Sequence, residues 1–317
     1  MILPQLLRKH YWPSLAKAGG LVLAYAVWVA LFRLLALTFV TYFLTHSLAI
    51  PLSAPMGKLP RFEDISEVFG SNELTLMGIA AGTFVLLLRN LYPLTATAGE
   101  DLFSPQRLEK KFLPGFIHGA LLVAAMILAL LLGGSYRFMG VYIQFDEVPL
   151  AMATVVMRVL ALAVLAYSEE YIFRRKLAVF LREWPPILVA LSCASVFCAV
   201  KMLQFDLGLM HLLTLFLISL ALSVRYYAEN DFGRGAGFWA GILIIAHPLL
   251  SLPVLGNDFS GLFLVKYQAK TLSETARFFT GGSGGPLQSF AFQLLLIMDV
   301  ARGFMRNKKT ILRNPAK

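Results

Sequence analysis

Apolar runs of about 18 residues or longer recur from one end of this chain to the other, and each is long enough to cross the hydrocarbon layer of a bilayer as a helix. A lipid environment leaves no water to satisfy backbone N–H and C=O groups, so a chain built of such runs is confined to helices that satisfy those groups internally. Composition agrees: 58% of the 317 residues are hydrophobic and 15% are charged, where a soluble domain carries about 25% charged residues. The expected fold class is therefore all-α, a polytopic membrane bundle of about eight transmembrane helices.

The expected spans are Gly19 to Leu44, Leu74 to Leu88, Leu113 to Leu132, Ala151 to Leu181, Pro186 to Leu203, Leu209 to Tyr227, Gly237 to Leu255 and Leu287 to Phe304. Two polar segments read as long loops. Pro51 to Asn72 carries Glu63, Asp64 and Glu67, and Asn257 to Gly285 ends in a Gly-rich stretch that reads as a flexible linker. Met1 to Lys9 is short and basic, but the apolar run beyond it is too long for a signal-peptide core, so it is expected to persist as the first anchor. Three regions follow: 1–150 with the first three spans, 151–255 as a helical core, and 256–317 with the outer loop, last span and basic tail.

The net charge of +10 comes from clusters between the runs. Lys and Arg concentrate on the cytoplasmic side of membrane proteins, and here they follow every even-numbered span: Arg89, Arg107, Lys110 and Lys111; Arg174, Arg175, Lys176 and Arg182; Arg225 and Arg234; Arg302, Arg306, Lys308, Lys309 and Arg313. With Arg8, Lys9 and Lys17 ahead of the first span, both termini are expected to be cytoplasmic. The basic residues form no stripe interleaved with exposed aromatics, so nucleic acid is not an expected partner, and the bilayer is. Cys193 and Cys198 read as small packing residues rather than a disulfide pair. Trp184, Trp239 and Tyr226 read as interfacial aromatics.

Ionisable groups within hydrocarbon are functional candidates by default, because they are stable there only when paired or wet. They gather in the region of the fourth to seventh spans: Glu169, Glu170, Lys201, Asp206, His211 and His247. The sharpest local pattern is Ser168-Glu169-Glu170-Tyr171-Ile172-Phe173-Arg174, continuous with the apolar run before it. On a helix Glu170 and Arg174 share a face and can pair, while Glu169 points about 100° away and stays available for other chemistry. A carboxylate in a poorly solvated cavity can serve as a general base on water. The plainer alternative is a charged helix end at the interface.

The motif Glu169-Glu170-x-x-x-Arg174 resembles that of the CAAX-protease and bacteriocin-processing (CPBP, or Abi) family of membrane peptidases. Ser195 to Lys201 looks like the family's Phe-x-x-x-His motif, with Phe197 kept and Lys201 at the histidine. Gly237 to His247 looks like the approach to its His-x-x-x-Asn motif, with His247 kept and Ser251 at the asparagine. The resemblance covers about a third of the chain. It implies an intramembrane endopeptidase, a hydrolase acting on a membrane-associated peptide or lipidated protein. Glu169 would be the general base, Lys201 would stand at its partner's place, and His247 would serve the oxyanion or proton transfer. Ser251 would replace an amide donor, with Glu170 and Arg174 in support. Lysine next to a carboxylate normally stays charged and pairs with it, which weakens the base. A noncatalytic membrane interaction or maturation factor is therefore the alternative. A transporter is disfavoured, because no two matching interrupted helices are evident. Glu169, Glu170 and His247 could supply zinc-type ligands, but no His-Glu-x-x-His occurs and no metal is expected.

Overall fold

The computed structural model of the protein describes residues 12–47, 62–91, 108–141, 148–255, 261–268 and 274–311. The basic stretch Met1 to Lys9, Arg107 and the start of the second loop at Asn257 lie outside the described residues. The chain is a helical bundle made of α1 (Trp12–Ser47), α2 (Phe62–Leu91), α3 (Leu113–Leu132), α4 (Val148–Glu170), α5 (Leu177–Phe180), α6 (Pro186–Gln204), α7 (Leu209–Glu229), α8 (Gly233–Ile244), α9 (Glu274–Thr280) and α10 (Phe290–Ile311). Wide π turns precede α3 (Leu108–Phe112), join α4 to α5 (Tyr171–Lys176), and extend α8 (Ile245–Leu249).

Among the described residues, six helical segments are long and apolar enough to cross a membrane: Trp12–Phe39, Asn72–Asn90, Leu108–Leu132, Ala151–Phe180, Pro186–Gln204 and Leu209–Glu229. These match the first six expected spans. Their outward faces are strongly apolar, with Leu35, Leu132, Met157 and Leu203 all exposed. Such a surface suits lipid and would aggregate in water.

The remaining two expected spans take other forms. α8 is enclosed by protein, with nearly every residue from Gly233 to Ile244 buried, and its helix ends at Leu249 rather than Leu255. Hydropathy cannot tell an apolar helix covered by lipid from one covered by other helices. α10 begins at Phe290 and carries Asp299, Arg302 and Arg306 on its polar face. The expected loops are also more ordered than anticipated. α2 already begins at Phe62, within the segment read as a loop.

A short antiparallel ribbon adds to the helices. β1 (Tyr136–Val141) pairs with β2 (Phe263–Tyr267), Tyr136 opposite Tyr267, with an irregularity between Phe138 and Gly140. The ribbon ties the end of α3 to the segment after α8. The Gly-rich stretch is a defined turn, with positive φ at Gly281, Gly282 and Gly285, which only glycine adopts at little cost. The buried Tyr136 hydroxyl donates to the carbonyl of Gly282 at 3.0 Å, anchoring that turn to the ribbon.

Glycines set the closest helix contacts. Gly115 and Gly119 of α3 lie against the carbonyls of Arg234 and Phe238, while Gly237 and Gly241 of α8 lie against those of Phe112 and Phe116. A Cβ at any of the four would collide with backbone. In α2, Gly78 meets the Ala161 carbonyl of α4 in the same manner. Small residues four apart are the usual means by which membrane helices approach when no hydrophobic driving force separates them from lipid. Gly241→Ala should therefore destabilise the bundle by about 1–3 kcal/mol, the usual cost of overpacking. Thermal unfolding in detergent micelles measures this, and an unchanged midpoint would refute the notch assignment.

Candidate functional site

The two carboxylates at the end of α4 are both fully buried, at 0% exposure for Glu169 and Glu170. Two adjacent acids in an apolar bundle are tolerable only with opposite charges and donors brought to them. The fold supplies these from three other helices. Lys201 of α6, itself at 0% exposure, forms an ion pair with Glu169 through Oε1. The indole Nε1 of Trp239 in α8 donates to Glu169 Oε2 at 2.9 Å. Glu169 therefore has each oxygen engaged by a different helix. The hydroxyl of Tyr25 in α1, buried and without a hydrogen bond of ordinary geometry, is turned toward the same carboxylate.

Glu170 pairs with Arg174, Nη1 to Oε1 at 2.8 Å, across the start of the π turn. Arg174 then donates through Nη2 to the Ser219 hydroxyl at 2.5 Å and the Ser219 carbonyl at 3.2 Å, which joins α7 to the network. Room for the Glu170 carboxylate comes from Gly235, where a Cβ would fall 2.5 Å from Oε2. Phe197 stands beside both pairs, with Arg174 Cζ 5.0 Å and Lys201 Nζ 5.6 Å from its ring centroid. It also meets the rings of Phe173 and Trp239 edge-on, at 5.3 and 6.3 Å. The cations thus gain a favourable π face where water is excluded.

The structure brings together Glu169, Glu170, Arg174 and Lys201, and sets His247 and Ser251 elsewhere. His247, on the π turn after α8, is buried with a hydrogen bond to the backbone of Leu252 and the charge of Arg158 nearby. Arg158 lies eleven residues before Glu169 on α4, which corresponds to about 16 Å along the helix axis. α8 runs antiparallel along α4, so Trp239 falls beside Glu169 while His247, two turns on, falls beside Arg158. Ser251, at φ 53° where the helix has ended, donates to the Phe263 carbonyl at 2.8 Å and accepts from Gly261 N–H at 2.7 Å. Its hydroxyl braces the entry to β2 and is not directed at the carboxylates.

The residue that inspection of the sequence missed is Trp239. It reads there as an interfacial aromatic, yet it is 1% exposed and bonded to Glu169. Its neighbours carried the signal: Gly235, Gly237 and Gly241 around it mark a helix pressed on by backbone, where a lipid-facing indole does not fit. Among the described residues, no cluster of three or more His, Cys, Asp or Glu side chains is placed to hold a metal ion. No protein-family model, curated protein or solved structure matches the chain.

Lys201→Met leaves the Glu169 charge buried with neutral neighbours, the Trp239 indole and the Tyr25 hydroxyl, and should cost about 3–5 kcal/mol of stability. Adding Glu169→Gln removes that charge and keeps an acceptor for Trp239, so the double variant should regain most of the loss. Unfolding in detergent followed by tryptophan fluorescence gives the cycle. Additive losses would rule out direct coupling of the two side chains.

Proposed function

We propose that this integral membrane protein acts as a noncatalytic membrane interaction or maturation factor, built on a helical core that resembles a glutamate-dependent membrane peptidase. One observation carries the reading: Lys201 and Trp239 occupy both oxygens of the fully buried Glu169. A general base needs a free oxygen within hydrogen-bond reach of a water, and here one oxygen is held by an ammonium and the other by an indole N–H. The histidine expected to assist feels the charge of Arg158, and the hydroxyl expected at the oxyanion braces a strand, so neither has a contact with Glu169.

A second reading, an intramembrane endopeptidase cleaving a membrane-associated peptide or lipidated protein, is favoured by a different observation. Glu169 and Lys201, 32 residues apart in sequence, meet in one site as the resemblance to the CPBP family implies. Lys201 would then have to yield its contact when substrate and water enter, and serve as an electrophile toward the developing oxyanion. We further infer residence in the cytoplasmic membrane of a bacterium with both termini cytoplasmic. In that arrangement α8 with its π turn and α10 make the seventh and eighth crossings, in keeping with the basic clusters after even-numbered spans.

Proteoliposomes holding the wild type, Glu169→Gln, or Glu169→Gln with Lys201→Met, mixed with farnesylated peptides and a membrane-protein extract, separate these readings. Mass-spectrometric mapping of new peptide termini should find none that depend on Glu169, and in cells the double variant should support the wild-type phenotype, because it restores charge balance. Termini produced by the wild type and absent from both variants would establish the peptidase instead. In that case Lys201→His should raise the cleavage rate.

A further inference from the structure

A second group of charges lies near the start of α8, and it surrounds a cavity of about 480 Å³. That volume falls in the range of small-molecule sites. Its polar walls are Arg225 and Glu229 from the last turns of α7, Arg234 from the start of α8, and Asp299, Arg302 and Arg306 from α10. Four guanidinium groups therefore face two carboxylates.

Both carboxylates are already engaged. Glu229 is held by Lys111 at 2.7 Å and by Arg234. Asp299 is held by Arg225 at 2.7 Å and by His118 at 3.4 Å. Arg225 is fixed further by the Ala221 carbonyl at 2.9 Å and by the Phe238 ring, whose centroid lies 3.7 Å from its Cζ. Arg302 and Arg306 have no carboxylate partner among the described residues. They lie four apart on one helix, an arrangement that repels when nothing negative lies between. Gly303 between them lets α10 approach Val224 of α7 closely, holding both arginines at the cavity.

Every wall of this cavity comes from a helix end or segment beside the basic clusters, where membrane proteins meet phosphate headgroups. Planar guanidinium forks match phosphate oxygens in pairs. We propose that this cavity binds an anionic phosphate group, as carried by an acidic phospholipid headgroup or by free phosphate. Arg302 and Arg306 are the groups that contact it, and the Arg225–Asp299–His118 cluster is the rigid floor. The assignment is independent of whether the Glu169 site is catalytic.

Native mass spectrometry of the detergent-purified full chain, with phosphatidylglycerol and phosphatidylcholine offered in equal amounts, tests it. The wild type should retain the acidic lipid over the zwitterionic one by on the order of tenfold, as two interfacial arginines warrant. The preference should disappear in Arg302→Gln/Arg306→Gln and persist in Arg182→Gln, an exposed arginine away from the cavity. Both cavity arginines are exposed, so the variant should unfold at the wild-type temperature. Millimolar inorganic phosphate distinguishes the sources: a lipid site keeps its lipid adduct, whereas a free-phosphate site exchanges it for phosphate adducts that the double variant lacks. No preference for either phosphate source, or a preference unchanged by the double variant, overturns the proposal.

Discussion

Two neighbouring carboxylates without water around them form the constraint to which the rest of this bundle answers. Glu169 and Glu170 project in different directions from the end of α4, so one cation cannot serve both. Lys201 from α6 meets the first and Arg174, leaning on Ser219 of α7, meets the second. Trp239 and Gly235 of α8 provide the last donor and the necessary space. Removing any one cation would leave a charge stranded in a medium that cannot solvate it, so four helices are bound by one electrostatic requirement.

This arrangement also defines the chemistry open to the site. An acid that is saturated with donors and sealed by Phe197, Trp239 and Phe173 is well suited to holding a structure together. Both of its oxygens are already engaged, one by Lys201 and the other by Trp239. A lysine meets the carboxylate here, and the two side chains differ in kind from an imidazole pair, since imidazole can share a proton with a carboxylate and an ammonium mainly neutralises it.

Much of this was legible in the sequence, and the parts that were not have physical reasons. The first six spans follow directly from run length, because hydrocarbon thickness leaves few ways to place 20 or so apolar residues. Glu170 with Arg174 follows from helical spacing, and the encounter of Glu169 with Lys201 from motif order. The span expected from Gly237 to Leu255 is instead a helix from Gly233 to Leu249 enclosed by protein, since hydropathy records how apolar a stretch is and neither what covers it nor where its helix stops. His247 was expected near Glu169 because order along the chain says nothing of depth; once Trp239 meets Glu169, eight residues of helix carry His247 about 12 Å beyond. The ribbon of β1 and β2 escaped notice because two short strands far apart in sequence leave only a faint alternation. The cavity of Arg302 and Arg306 was visible only as part of a basic cluster.

The reciprocal glycines of α3 and α8 carry a consequence for how the bundle finds its register. Indentations four residues apart on both partners repeat, so the two helices could mesh again in part after sliding by four residues, about 6 Å. Backbone contact therefore determines spacing and restricts axial position to a few registers. The indole of Trp239 selects among them, because only one of the meshed positions delivers its N–H to the Glu169 carboxylate. Apolar grooves act as the rack, and a single polar bond selects the tooth.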